Sequence, residues 1–301
     1  MSDSDIEFRA GFVALIGRPN VGKSTLLNRF VEQKISIVSR KPQTTRQRVL
    51  GIKTAPNVQL VFIDTPGLHG GQRKEINRQM NRAAAGAALD ADLVLWVVEA
   101  PRWQDGDDFV LQRLVDSPHP VGIVVNKIDR VKPRDRLLPY LQEIAAKRDF
   151  AFVTPVSAAS GENVERLEQV VAAHLPVSPP LFPADQVTDL PQRLWAAEII
   201  REKLLELLRE ELPHAVAVEV ERWQEEGNLL KVSAVIWVER DSQKAIVIGR
   251  KGSVLKTVGQ AARLDLEKEL DQKVFLELWV KVKSGWTDDV RRLRELGLGG
   301  E

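Results

Sequence analysis

The sequence has 301 residues, more than one domain usually needs, so two domains are expected. Hydrophobic residues make up 44% and charged residues 28% of the chain, and the formal net charge is +1, which excludes a global electrostatic attraction to nucleic acid or to a membrane surface. There are no cysteines, which excludes disulfides, thiolate metal sites and cysteine catalysis.

Short apolar runs alternate with longer segments of helical spacing through the first part of the chain. The runs predicted as buried strands are Phe12–Ile16, Gln59–Ile63, Leu93–Val98, Gly122–Val125 and Ala151–Val156. The segments predicted as helices are Lys23–Val31, Arg73–Leu89, Asp107–Val115, Arg134–Arg148 and Val164–His174. This rhythm is typical of an α/β domain whose helices flank a mostly parallel sheet, and we place that domain at residues 8–176. The apolar runs are strand-sized and too short to span a bilayer.

A cluster of prolines between residues 176 and 183 interrupts the pattern, so residues 177–191 are predicted to be a linker. The order of elements then changes. We predict a helix at Gln192–Leu212, strands at Val216–Arg222 and Leu229–Val238, two short helices flanking Gly249–Gly252, and a last strand at Val274–Val282. This order indicates a smaller α+β domain at residues 192–285, followed by a short charged helix or tail at residues 286–301.

A glycine-rich motif, GRPNVGKS, runs from Gly17 to Ser24 and directly follows the first predicted strand. It fits the pattern G-x-x-x-x-G-K-[ST], in which backbone N–H groups and the N-terminus of the next helix surround phosphates. Lys23 is expected to reach the β- and γ-phosphates, and the Ser24 hydroxyl is expected to bind Mg²⁺. This motif alone does not separate ATP from GTP. The residues assigned to this loop are Gly17, Arg18, Pro19, Asn20, Val21, Gly22, Lys23, Ser24 and Thr25.

The tetrapeptide NKID, which ends at Asp129, follows the predicted strand Gly122–Val125 and therefore lies at the carboxyl edge of the sheet. A carboxylate there accepts two hydrogen bonds from the guanine N1–H and N2 amine, neither of which adenine offers. The sequence therefore predicts that Asp129 selects guanine. The residues assigned to the base are Asn126, Lys127, Ile128 and Asp129, with Ser157 and Ala158 closing over the base through backbone contacts.

A second phosphate-facing segment, DTPG, follows the predicted strand Gln59–Ile63. Asp64 is expected to hold Mg²⁺ through a water molecule, and the Gly67 N–H is expected to meet the γ-phosphate. In the earlier loop Pro42–Arg46, a threonine is expected to add a second hydroxyl to Mg²⁺ and an N–H to the γ-phosphate. Of the two threonines there, we favour Thr45 and keep Thr44 as the alternative. The residues assigned to catalysis are Lys23, Thr45 and Gly67, and Thr65, Pro66 and Leu68 complete the nucleotide site.

Leu68 stands where a water-positioning glutamine often follows the glycine of this motif. Because leucine cannot orient an attacking water, we predict slow intrinsic hydrolysis. His69 is interpreted as a solvated loop residue. Asn20 is hypothesised to help hold a monovalent cation, K⁺, between the phosphates.

The later domain contains a basic glycine loop, Gly249–Gly252 (GRKG), between two predicted helices. No acidic residue occurs from Ser242 through Leu264. Glycines let a nucleic-acid backbone approach closely, and adjacent cations neutralise its phosphates. This arrangement is that of a KH domain, which clamps about four single-stranded nucleotides, and the order of elements matches the type II version. The residues assigned to RNA are Lys244, Ile248, Gly249, Arg250, Lys251, Gly252, Ser253 and Lys256.

Three other features have simpler interpretations. The segment between Gln33 and Ile63 is basic and lacks acidic residues, and the sequence leaves open whether it faces RNA or compensates nucleotide charge. Three tryptophans are predicted to lie in the core or on the sheet surface: Trp223, Trp237 and Trp279. Three charged residues of the helix after the linker are predicted to form its solvated face: Arg201, Lys203 and Glu206.

With these motifs in place, the chain resembles the Era family of bacterial GTPases over nearly its whole length. The matching segments are Gly17–Asn28, Lys41–Arg46, Asp64–His69, Asn126–Asp129 and Leu276–Trp286. The resemblance implies a Ras-like P-loop GTPase domain followed by a type II KH domain, with GTP or GDP and Mg²⁺ as ligands. It also implies binding to 16S ribosomal RNA near its 3′ end, a role in 30S subunit maturation, and a cytoplasmic protein with peripheral membrane association. We expect a monomer.

Two alternative functions remain open from the residues alone. One is a translation-associated or RNA-modifying GTPase with a different RNA target, which would require further barrel or catalytic domains. The other is an RNA-binding module whose nucleotide domain is structural. A P-loop ATPase or kinase is disfavoured by Asp129.

The assignment of Asp129 to the base predicts the effect of one substitution. Replacing Asp129 with Asn is expected to shift the preference from guanine toward xanthine nucleotides, because an amide donates a hydrogen bond where the carboxylate only accepts. Competition between GDP and xanthosine diphosphate for the purified variant measures this shift. An unchanged guanine preference would show that Asp129 does not read the base.

Overall fold

The computed structural model of the protein describes residues 7–41, 43–68, 75–208 and 215–298. The chain divides into two compact units. The first unit comprises Met1–Ser36, Thr45–Gly71 and Met80–Asp189, and the second comprises Ile37–Thr44, Gln72–Gln79 and Leu190–Glu301. The second unit therefore includes chain segments that precede the domain boundary expected near residue 192.

The described part of the first unit is an α/β sheet structure, as predicted. Its strands are β1 (Arg9–Ile16), β2 (Val49–Ala55), β3 (Val58–Asp64), β4 (Leu93–Glu99), β5 (Val121–Asn126) and β6 (Phe152–Pro155). Its helices are α1 (Lys23–Val31), α2 (Glu75–Asp90, with residues 75–79 grouped in the second unit), α3 (Asp105–Leu114), α4 (Leu137–Ala145) and α5 (Val164–His174). The strands lie in the order β2-β3-β1-β4-β5-β6; β2 runs antiparallel to β3 and the other neighbours pair in parallel.

Alternation along β3 explains how the sheet is covered on both faces. Val61 and Ile63 join the core cluster around Trp96, which α2, α3 and α4 complete. The residue between them, Phe62, stacks on Phe30 of α1 with ring centroids 4.2 Å apart. This stack fixes α1 against the sheet and thereby fixes the loop that precedes α1.

The edge strand β2 was missed by the sequence-based prediction. Its sequence, VLGIKTA, lies inside the basic segment, to which no strand was assigned before Gln59, and Gly51 and Lys53 interrupt its apolar pattern. An edge strand is paired on one side, so its pattern is weaker than that of a central buried strand.

The segment predicted to be a linker is bound to the first unit as far as Asp189. The buried side chain of Gln59 accepts hydrogen bonds from the backbone N–H groups of Leu181 and Phe182, at 2.7 and 2.9 Å. The Asp189 carboxylate accepts one from the N–H of Leu50 at 3.1 Å. These bonds hold the proline-rich segment to the sheet instead of leaving it as a free tether.

The second unit contains α6 (Gln192–Leu207), β7 (Ala217–Glu226), β8 (Leu229–Val238), α7 (Asp241–Ile248), α8 (Ser253–Leu270), β9 (Lys273–Val282) and α9 (Val290–Glu295). β8 lies between β7, which is antiparallel to it, and β9, which is parallel. The order of elements matches the prediction, but α8 has 18 residues and is not the short helix expected. In the described ranges, no helix is both long and apolar enough to cross a bilayer.

Helix α6 is buried on more than one side, which contradicts part of the sequence interpretation. Ile200 and Leu204 pack into one core cluster, whereas Ile199 joins another. Arg201, predicted to be solvated, is only 2% exposed, because other segments of the second unit pack against both sides of α6. Lys203 is also largely covered, and its ammonium lies 2.7 Å from the carboxylate of Asp265. Glu206 is half exposed, as predicted for it.

The aromatic stack between α1 and β3 generates a stability prediction. Phe30→Ala is expected to lower the free energy of unfolding of the first unit by about 3–5 kcal/mol, because it leaves a cavity beside Phe62. Urea titration followed by circular dichroism measures the change. Leu138→Ala is the control, since Leu138 is 65% exposed, and it is expected to change stability by less than about 0.5 kcal/mol. Equal effects of the two substitutions would contradict the packing described.

Candidate nucleotide site and nucleic-acid groove

The predicted nucleotide residues converge at one edge of the first sheet. The loop Gly17–Thr25, here called the phosphate loop, follows β1, and the segment DTPG follows β3. The segment NKID follows β5, and Ser157 follows β6. Since these strands run in parallel, their carboxyl ends lie at the same edge. Sequence motifs separated by more than a hundred residues are therefore neighbours in the fold.

Gly22 illustrates why the phosphate loop requires glycine at its end. It precedes α1 with φ of 103°, a conformation that side chains rarely adopt. A Cβ at this position would lie 2.3 Å from the side-chain nitrogen of Asn126. Glycine thus permits both the turn into the helix and close contact with the loop that contains the NKID segment, here called the base-side loop.

Lys23 is buried beneath the phosphate loop with its charge directed at backbone carbonyls. Its Nζ donates hydrogen bonds to the carbonyl oxygens of Gly17 and Arg18, at 3.0 and 3.1 Å. Burial lowers the pKa of Lys23 to about 8, and the nearby carboxylate of Asp64 opposes that change. An ammonium held this way can exchange weak carbonyl partners for phosphate oxygens, which also favour its charged form.

Side chains of the NKID segment fasten the base-side loop to the phosphate loop. The Asn126 amide donates to the Val21 carbonyl oxygen at 2.8 Å and accepts from the Ala158 N–H at 2.9 Å. The Lys127 Nζ donates to the Asn20 carbonyl oxygen at 2.6 Å. The two loops are therefore fixed relative to each other, as a ligand spanning base and phosphates requires.

Asp129 is exposed at the end of this arrangement and is oriented by a neighbour. The Ser157 hydroxyl donates to its Oδ1 at 2.6 Å. The sequence-based interpretation gave Ser157 backbone contacts only, so this side-chain role was missed. The contact restricts rotation of the carboxylate that is predicted to read guanine.

Asp64 is fully buried, and its carboxylate is hydrogen-bonded to three hydroxyl groups. Its Oδ2 accepts hydrogen bonds from Ser24 at 2.7 Å, Ser36 at 2.8 Å and Thr45 at 3.3 Å. Burial raises the pKa of the Asp64 carboxyl, and the charge of Lys23 together with the three hydroxyls opposes the rise. Its other oxygen, Oδ1, is buried and has no hydrogen-bond partner among the described residues.

This cluster fits the requirements of Mg²⁺. The ion prefers oxygen ligands, retains several waters and shares its coordination with substrate phosphates. The Ser24 and Thr45 hydroxyls lie 2.8 Å apart and beside an unpartnered carboxylate oxygen of Asp64. Over the described ranges, no group of three or more His, Cys, Asp or Glu is placed to hold a metal.

The structure separates the two threonine candidates. Thr45 reaches Asp64, whereas the Thr44 hydroxyl donates to the Lys41 carbonyl oxygen at 2.7 Å. Pro42 lies outside the described residues, as does His69.

Ser36 was not singled out from the sequence, although its hydroxyl is one of the three on Asp64. Asn28 of α1 holds it in place: the Asn28 Oδ1 accepts from the N–H groups of Ile35 and Ser36, at 3.1 and 2.9 Å. Its Nδ2 donates to the Ser36 carbonyl oxygen at 2.6 Å. A serine in a short loop carries no distinctive sequence signal, so only the fold reveals this role.

Gly67 packs directly on the phosphate loop, and the side chain after it turns inward. A Cβ on Gly67 would lie 2.6 Å from the backbone nitrogen of Pro19. The Leu68 N–H donates to the Gly17 carbonyl oxygen at 3.2 Å, and its side chain is buried in the core cluster. The position that follows Gly67 therefore directs an apolar group away from solvent, in line with the absence of a water-orienting side chain there.

Arg18 points away from the phosphate loop and binds acidic groups. Its Nε lies 3.1 Å from the buried carboxylate of Asp107 in α3, and a terminal nitrogen lies 3.6 Å from Glu99. Glu99 also pairs with Lys127 at 2.8 Å. Burial raises the pKa of the Asp107 carboxyl, against the opposing charge of Arg18. The charge of Arg18 thus anchors the loop to two carboxylates, a partnership that was not predicted from the sequence.

Two cations of the basic segment form ion pairs within the first unit. Lys53 contacts Glu168 at 2.8 Å and Glu32 at 3.3 Å. Arg48 contacts Asp90 at 3.1 Å. The partners of these two side chains are protein carboxylates, so neither pair distinguishes an RNA-facing surface from compensation of nucleotide charge.

In the second unit, the glycine loop between α7 and α8 has the backbone that the KH prediction requires. Gly249 has φ of 74°, and a Cβ there would lie 2.5 Å from Val254. Gly252 has φ of 78° but open space around it. Arg250 and Lys251, between the glycines, are exposed. Two cations are therefore presented on a loop that a phosphate backbone can approach.

A groove of about 550 Å³ runs beside this loop. It is lined by Gly252, Leu255, Lys256, Gly259, Gln260, Arg263, Leu276 and Leu278. Gly252 and Lys256 were predicted as RNA residues, but the contributions of Gly259 and Gln260 and of the β9 leucines were not. Residues 256, 259, 260 and 263 recur at helical spacing along α8, which is the sequence signal that could have identified this face.

The three tryptophans of the second sheet lie where predicted. Trp223 packs against a core cluster, and the Trp237 indole N–H donates to Glu219 at 2.8 Å. Trp279 stands on the sheet surface and is 59% exposed. None of the three lines the groove.

Comparison with known proteins identifies both units. The family described as 50S ribosome-binding GTPase matches residues 12–127, and the family described as KH domain matches residues 211–287. GTPase Era of Coxiella burnetii (strain RSA 331 / Henzerling II) is 52% identical over 287 residues, covering 95% of this chain and 97% of its own. GTPase Era of Stenotrophomonas maltophilia (strain R551-3) is 53% identical over 287 residues, covering 95% and 96%.

Solved structures agree over the same extent. A crystal structure of Era in complex with MgGDPNP and nucleotides 1506–1542 of 16S ribosomal RNA has a TM-score of 0.94 and 40% identity, covering 97% of this chain and 100% of the other. An Aquifex aeolicus Era variant bound to GDP and AlF₄⁻ has a TM-score of 0.94 and 39% identity with the same coverage. The predicted fold class, a Ras-like P-loop GTPase domain followed by a KH domain, is confirmed.

The contact between Gly67 and the phosphate loop predicts a specific loss of affinity. Gly67→Ala is expected to weaken binding of a GTP analogue about tenfold or more, because its methyl group would collide with the Pro19 backbone, which cannot yield without displacing the loop. Titration with a fluorescent GTP analogue measures the change. Gly86→Ala on α2 is the control, since a Cβ there meets nothing within 4 Å. Wild-type affinity in Gly67→Ala would refute the close approach.

Proposed function

The chain belongs to the Era family of GTPases, and from that premise we propose that it is a GTP-hydrolysing switch that binds 16S ribosomal RNA near its 3′ end and assists maturation of the 30S subunit. The observation that carries this proposal is that one chain contains both the hydroxyl cluster around Asp64 and a groove beside a basic glycine loop. The hydroxyl cluster suits a nucleoside triphosphate, and the groove suits a single-stranded nucleic acid.

In this proposal, the first unit binds GTP along the edge of its sheet. The backbone from Gly17 to Thr25 surrounds the phosphates, Lys23 neutralises the β- and γ-phosphates, and Asp129 accepts hydrogen bonds from guanine. The tight connection between the two loops supports a single ligand that spans them.

The γ-phosphate is present in GTP and absent from GDP, so it distinguishes the two nucleotide-bound states of the protein. Mg²⁺, when bound, supplies charge neutralisation between the β- and γ-phosphates. Ser24 and Thr45 are placed to bind it directly, and Asp64 is placed to bind it through water. The N–H groups of Thr45 and Gly67 meet the γ-phosphate, so loss of this group releases both segments.

Hydrolysis is slow in the isolated protein. Leu68 supplies no polar group to orient the attacking water, and its burial in the core supports that assignment. The residues proposed to act on the reacting phosphate are Lys23, Thr45 and Gly67, which stabilise charge rather than transfer a proton.

The second unit binds RNA through the glycine loop and the groove beside it. Gly249 and Gly252 allow the sugar–phosphate backbone to approach, while Arg250, Lys251 and Lys256 neutralise its charge. Lys244, Ile248 and Ser253 complete the proposed contact surface. The apolar groove wall supports stacking or packing of unpaired bases.

Further elements of the proposal rest on family resemblance. They are the 30S subunit as the assembled partner and a cytoplasmic location with peripheral association at the inner membrane. From the position of Asn20 in the phosphate loop, we also propose that it helps to hold K⁺. We also propose a monomer. The domain limits proposed are residues 8–176, 192–285 and 286–301, with the segment 177–191 connecting the first two.

The RNA assignment is tested by Gly252→Asp in the full-length protein. The substitution adds a negative charge where RNA phosphates are expected, so affinity for a 3′-terminal 16S RNA fragment should fall about tenfold or more while GTP hydrolysis persists. Gly227→Asp is a matched control: Gly227 also has positive φ and open surroundings, but it lies in the β7–β8 turn. Filter binding and phosphate release measure the two properties.

Several outcomes would overturn this assignment. Equal RNA affinity in the two variants would remove the glycine loop from the RNA site. Preferential crosslinking of a different cellular RNA would replace the proposed target. Equal phosphate release by wild type and Lys23→Ala would show that the hydrolysis does not arise at the proposed site, and would favour a structural role for the nucleotide unit.

A further inference from the structure

A tight turn at residues 157–161, here called the β6–α5 turn, lies beside the carboxylate proposed to read guanine. The Ser157 hydroxyl at its start binds Asp129. The turn is closed by its own backbone: the Gly161 N–H donates to the Ser157 carbonyl oxygen at 2.8 Å, and the Ser160 N–H donates to the Ser157 hydroxyl at 3.2 Å. Since this turn is proposed to close over the base, whatever holds its backbone also affects how the base is bound.

Arg29, in the last turn of α1, holds the β6–α5 turn from one side. Its Nε donates to the carbonyl oxygen of Ala158 at 3.2 Å, and its Nη2 donates to that of Ala159 at 2.7 Å. The guanidinium also packs near Gly161, where a Cβ would lie 3.8 Å from its Nη1. One planar cation with several donors in a fixed arrangement therefore binds two successive carbonyls of the turn.

The N–H groups of the turn show what this contact leaves available. The Ser157 N–H donates to the Glu162 carbonyl oxygen at 3.0 Å, and the Ala158 N–H donates to the Asn126 Oδ1 at 2.9 Å. The two N–H groups that end the turn are bonded within it. Among the described residues, only the Ala159 N–H of this turn has no acceptor. Backbone donors in folded proteins are nearly always paired, so a ligand is a suitable acceptor for this one.

Peptide planarity connects the unpaired donor to Arg29. The carbonyl of Ala158 and the N–H of Ala159 belong to one rigid peptide group, in which they point in opposite directions. Because Arg29 binds the carbonyl, the Ala159 N–H is directed away from α1. The guanidinium thus fixes the direction of the donor without touching the ligand itself.

The edge of guanine supplies the complementary group. Asp129 is proposed to accept hydrogen bonds from the N1–H and the N2 amine, which leaves the 6-oxo group as an acceptor that needs a donor. Adenine carries an amine at the same position, and that amine would face the Ala159 N–H as a second donor. An N–H directed at position 6 therefore adds to the selection of guanine made by Asp129.

We infer that Arg29 is a positioning residue for guanine recognition: by binding the carbonyls of Ala158 and Ala159, it directs the Ala159 N–H at the 6-oxo group of the base. The inference rests on the proposed function, because it takes Asp129 and the β6–α5 turn as the guanine site. Its consequence is that α1, which begins at the phosphate loop, also sets the backbone that reads the base.

The test compares the affinity for GDP with that for 2-aminopurine riboside diphosphate, a nucleotide that keeps the N2 amine and lacks the 6-oxo group. Arg29→Met is the main variant, since methionine has similar length and no donor. We expect the preference for GDP over the analogue to fall about tenfold, because only GDP loses a hydrogen bond. Arg29→Lys keeps a donor that can reach one carbonyl, and it should recover part of the preference.

Arg166→Met on α5 is the matched control, because Arg166 is exposed on the helix that follows the turn. It should leave the preference unchanged. A purely structural role for Arg29 would weaken both nucleotides equally and keep their ratio at the wild-type value. That result in folded Arg29→Met would overturn the inference.

Two measurements keep the test decisive if Arg29→Met fails to fold. The preference of Arg29→Lys should lie below that of wild type, and a wild-type preference would overturn the inference. In the wild-type protein, the Ala159 amide should gain protection from hydrogen exchange with GDP and not with the 2-aminopurine nucleotide. Equal protection with both nucleotides, or with neither, would refute the assigned donor. Wild-type protein that binds no guanine nucleotide would instead refute the proposed function.

Discussion

A buried carboxylate that binds three hydroxyl groups is the interaction on which the rest of the nucleotide site depends. Asp64 ends β3, Ser24 lies in the first turn of α1, and Ser36 and Thr45 come from the chain between α1 and β2. A charge without water around it needs such partners or a cation. The hydroxyls and the ammonium of Lys23 stabilise it within the protein, and its other oxygen has no hydrogen-bond partner among the described residues. Each element that reaches Asp64 is therefore set in position by one central charge.

The surrounding contacts convert this centre into a site for a whole nucleotide. Asn126 and Lys127 join the base-side loop to the phosphate loop, and Arg18 ties the phosphate loop to Asp107. These bonds fix the two loops relative to each other before ligand binding, which lowers the conformational-entropy cost of binding.

How far the sequence predicts the structure depends on whether a function is local in the chain. The phosphate loop, Asp64–Gly67, Asn126–Asp129 and the glycine loop each combine residue type and spacing within a few positions, so their placement at strand ends could be predicted. Ser36 could not, because its partner Asp64 lies 28 positions away and Ser36 belongs to no motif. The strand β2 and the burial of α6 were missed for a related reason: an edge strand and a helix covered on several sides both lack the simple periodicity that signals burial.

In the proposed switch, the nucleotide bound to one unit changes the affinity of the other unit for RNA, and thermodynamic linkage offers the most direct measurement of this coupling. The affinity of the wild-type protein for a 3′-terminal 16S RNA fragment should be measured with a GTP analogue and with GDP, and the affinities for both nucleotides should be measured with and without that RNA. The account predicts that the two RNA affinities differ, and that RNA changes the relative nucleotide affinities by the same factor, because coupling is reciprocal. Equal RNA affinities in the two nucleotide states would contradict it.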